Sequence, residues 1–173
     1  MLVYFTRAQI ADFGRGGLCP QSHKLRATVG TSPPYPKSVI YDRAQYIEKT
    51  LEVIQDAFQR SEKSVIELTA VGASLHHCYT GIENILKRIL KFQNLSLPTT
   101  PASHKDLLDM ALEQGLISEE LSGQLDKYRG FRHFFVHAYG ILLKEEELQP
   151  LVQEISGIWK QFEKEVRKFL AAL

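Results

Sequence analysis

The sequence predicts an all-α protein, an antiparallel bundle of four or five helices. From residue 40 onward, apolar residues recur three and four positions apart, which is the spacing of one buried stripe along an α-helix. The segments between these stripes are short, and this part of the chain does not alternate apolar and polar residues as a half-buried strand does. No β-sheet is therefore expected, beyond at most a short strand near the N-terminus.

Residues 1–38 form an N-terminal arm that we expect to be poorly structured and to lie outside the core. Glycine and proline interrupt any periodicity there, at Gly14, Gly16, Gly17, Pro20, Gly30, Pro33, Pro34 and Pro36. A chain of 173 residues is long enough for one domain with a real core but short for two. Residues 39–173 are accordingly predicted to fold as a single helical domain.

Two long helices are predicted first, from Ile40 to about Glu62 and from about Ser64 to Gln93. Cys78 falls in the apolar stripe of the second helix, so we expect it in the core. The opposite side of the second helix is predicted to be a polar stripe, formed by His76, Thr80, Glu83 and Lys87.

Three further helices follow a loop that contains two prolines. Ser103, with Asp106 three positions later, is typical of a helix start, and this third helix is expected to end near Gly115. The fourth helix is predicted from Ser118 to around Gly140. The fifth runs from about Glu146 to Ala172, and its Pro150 is tolerable because it falls in the first turn.

The composition excludes a general attraction for polyanions. The formal charge is only +1, so any binding of nucleic acid must depend on a local cluster of basic residues. The two cysteines, Cys19 and Cys78, lie far apart in a chain that begins without a secretory signal, which indicates a reducing cytoplasm. No segment is apolar enough to span a membrane, and no membrane partner is expected.

The segment YRGFRHFFVHAYG, residues 128–140, concentrates ionisable side chains on the fourth helix. On a helical wheel of about 100° per residue, one arc is aromatic and is predicted to face the core. It contains Tyr128, Phe131, Phe134, Phe135, Ala138 and Tyr139. The rest of the wheel is predicted to be a cationic outer face, bounded by Arg132 and formed by Arg129, Gly130, His133, Val136, His137 and Gly140.

Arg132 and His137 lie about 140° apart on this wheel and flank the outer face from its two sides. Gly130 and Gly140 leave room there for a second backbone to approach. A symmetric homodimer through this helix would bring two arginines and two histidines into one cleft. Such a cleft suits metal-independent cleavage of RNA, because neutral histidine can accept the proton of a ribose 2′-hydroxyl and arginine can stabilise the phosphoryl transition state.

Other interpretations of these residues remain open. A single arginine or histidine on a helix is commonly a solvated side chain, and spacing alone supports an RNA site only weakly. His133 and His137 could bind a metal, but the segment lacks the glutamate of HExxH and a third ligand, so no metal site and no cofactor are expected. Glu83 could line the cleft floor or belong to the polar face. His76 is expected to be a solvated histidine, and His104 is expected to have a structural role in helix docking.

The segment FRHFFVHAY contains an R-x4-H-x-Y pattern formed by Arg132, His137 and Tyr139. This pattern resembles the signature of HepT-like toxins, which belong to the HEPN superfamily of helical ribonucleases. LHHCYTGIENILKRIL and SHKDLLDMAL precede it in the order and spacing of such a toxin domain. The resemblance covers residues 40–173 and implies a HEPN-type helical bundle.

The resemblance also implies roles for individual residues. Arg132 and His137 would be the catalytic pair of a homodimeric endoribonuclease, and His133 would be the polar residue after the arginine. Arg129 and Glu83 are expected to support the site or contact RNA. A minimal nucleotidyltransferase antitoxin would neutralise the toxin by transferring AMP to Tyr139. The toxin dimer and the antitoxin could then form a larger hetero-complex.

Two other functions fit the same sequence. The chain could be a HEPN domain that binds nucleotide or RNA without cleaving it. It could also be a structural bundle that uses its cationic helix only to form dimers.

Overall fold

The computed structural model describes residues 37–98, 103–137 and 143–172. Five helices lie within these ranges: α1 Lys37–Phe58, α2 Val65–Phe92, α3 Ser103–Glu113, α4 Glu119–His137 and α5 Glu145–Ala171. The described ranges contain no strand, and the all-α class is confirmed. Most of the N-terminal arm lies outside the described residues, and α1 begins at Lys37.

The start of α2 is specified by a capping box. The Ser64 hydroxyl accepts a hydrogen bond from the Glu67 backbone N–H at 3.3 Å, and the Glu67 carboxylate accepts one from the Ser64 N–H at 2.9 Å. This cap holds Ser64 in extended backbone, so the preceding helix must end before it. The first helix stops at Phe58 rather than near Glu62, so the predicted end was wrong by one turn.

Gly115 and Ser118 mark the end of α3 and the start of α4. Gly115 has a φ of +67°, a left-handed conformation that favours glycine and ends α3. Ser118 caps α4 by accepting a hydrogen bond from the Leu121 N–H at 3.3 Å. Its own N–H and hydroxyl donate to Glu165 of α5, at 2.7 and 2.8 Å. The predicted helix start at Ser118 is confirmed, and its cap also ties α4 to α5.

The core surrounds α2, which packs against each of the other four helices. Its buried side includes Leu75, Ile82, Ile85 and Ile89, as the periodicity predicts. Cys78 is buried too, and burial raises the pKa of its thiol to about 12. Apolar residues of α5 complete this core: Leu148, Val152, Ile155, Ile158, Trp159, Phe162, Val166 and Leu170.

Pro150 lies inside α5 and is exposed to solvent. The helix begins at Glu145, so the proline falls in the second turn rather than in the first. Its missing N–H leaves one carbonyl of the first turn without its usual helical partner, on the side that water reaches. Within the described residues, no helix is both long enough and apolar enough to cross a membrane.

Candidate functional site

The aromatic residues of α4 divide differently from the wheel prediction. Tyr128 is completely buried, and its hydroxyl donates a hydrogen bond of 2.8 Å to the Leu151 carbonyl of α5. Phe131 and Phe135 are half-buried and pack against the core. Their rings are stacked, with 5.9 Å between the ring centroids. Phe134 is 38% exposed, so the prediction that it lies in the core is wrong.

The first half of α4 explains this difference. Leu121, Leu125 and Tyr128 are its buried residues, and they set the direction in which the helix faces the bundle. On a wheel of about 100° per residue, that direction passes close to Arg132 and lies far from Phe134. The aromatic residues of the motif alone had placed the core side about a quarter-turn away. Arg132 is therefore turned toward the bundle rather than fully outward.

Arg132 is half-buried, and its Nε is shielded from solvent without a hydrogen-bond partner among the described residues. No carboxylate of the described ranges forms an ion pair with it. Arg129, one turn earlier, is bound by Asp126 through two hydrogen bonds of 2.6 and 3.3 Å. The same bonds hold the pKa of the Asp126 carboxyl below its usual value. Of these two arginines, Arg132 is therefore the one whose charge no carboxylate of the described residues neutralises.

His76 of α2 lies within electrostatic reach of Arg132. The His76 ring stacks on the Phe135 ring at 5.8 Å and 30° between planes, and Phe135 follows Arg132 by one turn of α4. Partial burial is the main cause that lowers the pKa of His76, and the Arg132 charge lowers it further. The sequence did not single out His76 for the site, since a solvated histidine was expected there. Only its place in the polar stripe of the second helix pointed toward the site.

Gly72 makes this packing possible. It lies one turn before His76 on α2, and a Cβ atom there would come within 2.9 Å of the Phe135 ring and 2.5 Å of the Leu143 side chain. Such distances are well inside van der Waals contact. The absence of a side chain at Gly72 therefore lets Phe135 pack directly against the α2 backbone.

The two histidines of the motif lie together at the end of α4. The rings of His133 and His137 are 4.7 Å apart, and both residues are exposed. The structure thus groups His76 with Arg132 and His133 with His137. Tyr139, the predicted modification site, lies outside the described residues, as do Ala138 and Gly140.

Glu83 is not a solvated member of the polar stripe. It is only 1% exposed, and its Oε1 lies 2.7 Å from Nδ1 of His104 at the start of α3. Lys87 approaches its other oxygen at 4.0 Å. The charge of Glu83, after burial itself, raises the pKa of Tyr79, which also feels Arg129 and Arg132. The polar stripe therefore faces the seam between α2, α3 and α4, and His104 holds it to α3.

The outer side of α4 also presents apolar surface. Phe134 and Val136 are exposed, the latter by 52%. A groove of about 240 Å³ includes Phe134 in its wall and is lined by Gly130, Phe131, Phe134, Leu143 and Glu147. A Cβ atom at Gly130 would meet nothing within 4 Å. In the part of the chain that the structure describes, no group of three or more His, Cys, Asp or Glu residues is placed to hold a metal ion.

Comparison with known proteins identifies relatives of this fold and sequence. A sequence family described as HepT-like protein matches residues 70–173. No curated protein matches the chain significantly. A tri-AMPylated HEPN toxin from Shewanella oneidensis, solved in complex with its MNT antitoxin, is 22% identical with a TM-score of 0.60. That alignment covers 77% of this chain and 97% of the toxin.

Two other solved structures are similar. A toxin–antitoxin complex with AMP-PNP gives a TM-score of 0.67 at 21% identity and covers 76% of this chain and 98% of its counterpart. The cytosolic protein YutE from Bacillus subtilis gives 0.64 at 20% identity and covers 79% and 91%. At such identities the likeness establishes the fold, a HEPN-type helical bundle.

Proposed function

The chain belongs to the HepT-like protein family, and on that basis we propose that it is the toxin of a toxin–antitoxin pair. Its activity is metal-independent endonucleolytic cleavage of RNA in the cytoplasm. The observation that carries this proposal is Arg132, a half-buried cation without a carboxylate partner among the described residues, on the same helix as His137. Arginine in such a place is suited to bind phosphate through its forked donors.

In the proposed reaction, one histidine acts as the general base and a second histidine acts as the general acid. A neutral His137 takes the proton from a ribose 2′-hydroxyl, and the O2′ attacks the adjacent phosphorus. Arg132 stabilises the charge of the pentavalent transition state. The bond from phosphorus to O5′ then breaks, and a protonated histidine supplies the proton that O5′ takes up. The products are a 2′,3′-cyclic phosphate and a 5′-hydroxyl. His133, whose ring lies near that of His137, is a supporting residue.

The proposed active unit is a homodimer through α4, in which the second histidine comes from the partner copy. Support comes from the exposed Phe134, which lines a groove together with Gly130, and from the open space over Gly130. An exposed aromatic side chain beside a groove is typical of a surface that another chain covers. A symmetric arrangement would bring both copies of His137 near one bound phosphate.

The proposed antitoxin is a minimal nucleotidyltransferase that modifies Tyr139. The tyrosine hydroxyl loses its proton to a base of the antitoxin, its oxygen attacks the α-phosphorus of ATP, and pyrophosphate leaves. On the wheel, Tyr139 falls about 20° from Arg132, so the added AMP would compete with RNA for the arginine. The modified S. oneidensis toxin, bound to its MNT antitoxin, supports this proposal.

RNA cleavage by the purified full chain, in buffer with EDTA, tests the activity. We expect His137→Ala and Arg132→Ala each to reduce the cleavage rate by roughly 100-fold or more, as loss of an acid–base or charge-stabilising group does. Arg167→Ala is the matched control, since it removes an arginine on α5 that is paired with Glu163. Cleavage by His137→Ala at the wild-type rate, or only with added divalent metal, would contradict the proposal. Binding of RNA by unmodified protein without cleavage would indicate the non-catalytic module instead.

Co-expression with the neighbouring nucleotidyltransferase tests the regulation. The peptide that contains Tyr139 is expected to gain one or more AMP masses, and Tyr139→Phe should abolish the gain. An unmodified Tyr139 peptide beside an active nucleotidyltransferase would reject this part of the proposal and leave the cleavage reaction unaffected.

A further inference from the structure

The seam between α2 and α4 holds a positive charge without a local counter-charge. Arg132 lies on the α4 side of this seam and His76 on the α2 side, with the Phe135 ring stacked against His76 at 5.8 Å. The Arg132 Nε is shielded from water and lacks a partner among the described residues. A partly buried cation without a counter-charge is stabilised when an anion binds to it.

The ionisable groups around His76 do not supply that anion. From α2 it faces His77, whose ring is 5.7 Å away, and Glu83, and from α4 it faces Arg132. Glu83 is the one carboxylate among them, and it is bound by His104 and approached by Lys87. The carboxylate is therefore committed to the α3 side of the seam, and the Arg132 side is left cationic.

We propose that His76 is a further binding residue of the Arg132 site, where it donates a hydrogen bond to the phosphate that Arg132 binds. The inference rests on the proposed function for the identity of the ligand, an RNA phosphodiester. A ring held against Phe135 has few orientations, so its donor is fixed in place before the ligand arrives. The anion site is then formed by two helices of one chain.

This arrangement also couples binding to the protonation of His76. Partial burial and the charge of Arg132 favour the neutral ring in the free protein, whereas the negative charge of a bound phosphate favours the protonated ring. Phosphate binding must then raise the pKa of His76. By linkage, the phosphate must bind more tightly as the pH falls through the interval between the pKa values of His76 in the free and in the phosphate-bound protein.

Binding of a 2′-O-methyl oligoribonucleotide to the full chain tests the inference without requiring cleavage, since this probe lacks the attacking hydroxyl. We expect His76→Phe, which keeps a ring on Phe135, to weaken binding roughly tenfold, the loss typical of a hydrogen bond to a charged group. His76→Gln, which keeps a donor, should lose less. His77→Ala, the exposed neighbour, should bind within about twofold of wild type. Equal binding by His76→Phe and wild type, or an equal loss in His77→Ala, would overturn the assignment.

Ring NMR of the wild-type protein gives a second measurement. Inorganic phosphate is expected to raise the pKa of His76, and Arg132→Gln should remove this rise. An unchanged His76 pKa, at phosphate concentrations that shift the Arg132 side-chain resonances, counts against the contact. The two proposals fail separately: a wild-type protein that binds the probe but cleaves no RNA contradicts the ribonuclease alone. Cleavage with unchanged kcat and KM in His76→Phe contradicts only the role of His76.

Discussion

Gly72→Ala is expected to destabilise the protein although alanine is the better helix former. In a helix interior, alanine is favoured over glycine by roughly 0.5–1 kcal/mol. At Gly72, however, the new methyl group would lie 2.9 Å from the Phe135 ring and 2.5 Å from Leu143. Overpacking of this kind costs roughly 1–3 kcal/mol, because a rigid ring and its helix must shift. The net change should therefore be a loss of about 1 kcal/mol.

Gly123→Ala is the matched control, since Gly123 lies in α4 and a Cβ atom there meets nothing within 4 Å. The same helix preference acts in both variants, so their difference isolates the steric cost. Urea denaturation followed by circular dichroism should place Gly72→Ala roughly 1–3 kcal/mol below Gly123→Ala. Equal stabilisation of the two variants would refute the packing of Phe135 against α2.

A double-mutant cycle separates this contact from other effects of the methyl group. Phe135→Leu removes the ring, so the additional cost of Gly72→Ala should shrink in that background. A cost that stays the same would mean that the methyl group strains α2 against Leu143 alone. At concentrations where Gly72→Ala is folded, it should also weaken oligonucleotide binding, because His76 depends on the same ring.

Three other measurements check separate parts of the structure. His104→Ala should destabilise the fold by roughly 1–3 kcal/mol, because it leaves the buried Glu83 carboxylate without the partner that lies 2.7 Å away. Thermal melting of His104→Ala measures this loss, and His104→Gln serves as the comparison that keeps a polar side chain. Cys78, with a pKa of about 12, should resist alkylation at pH 8 in the native protein and react fully in denaturant, as peptide mass spectrometry would record. Gly130→Ala should weaken homodimers in analytical ultracentrifugation, whereas Gly157→Ala, on α5 and equally free of Cβ contacts, should leave them unchanged. Rapid reaction of Cys78 in the folded protein would contradict its burial. A dimer that is insensitive to Gly130→Ala would contradict the proposed interface.

The helices could be predicted because their signals are local. Apolar residues three and four apart marked the buried stripes, and Ser64 and Ser118 marked two helix starts that the structure confirms as caps. The end of the first helix was missed because residues 59–63, QRSEK, contain no glycine or proline that would mark it.

The site was less predictable because it depends on how helices cross. The wheel of residues 128–140 took its core direction from aromatic residues, whereas Leu121 and Leu125 set the direction in the folded helix. The contact of Glu83 with His104 joins residues 21 positions apart on two helices, and neither sequence segment contains a sign of the other. His76 entered the site for the same reason: its neighbour is Phe135 of α4, far along the chain.

The different surroundings of Arg129 and Arg132 indicate which of them can serve a ligand. RNA would have to displace Asp126 from Arg129, where two hydrogen bonds already satisfy the guanidinium. No carboxylate of the described residues has to be displaced from Arg132, and its partial burial strengthens any charge interaction made there. A phosphate should therefore bind first at Arg132. Contact with Arg129 stays a prediction, and its role in the described structure is to join two neighbouring turns of α4.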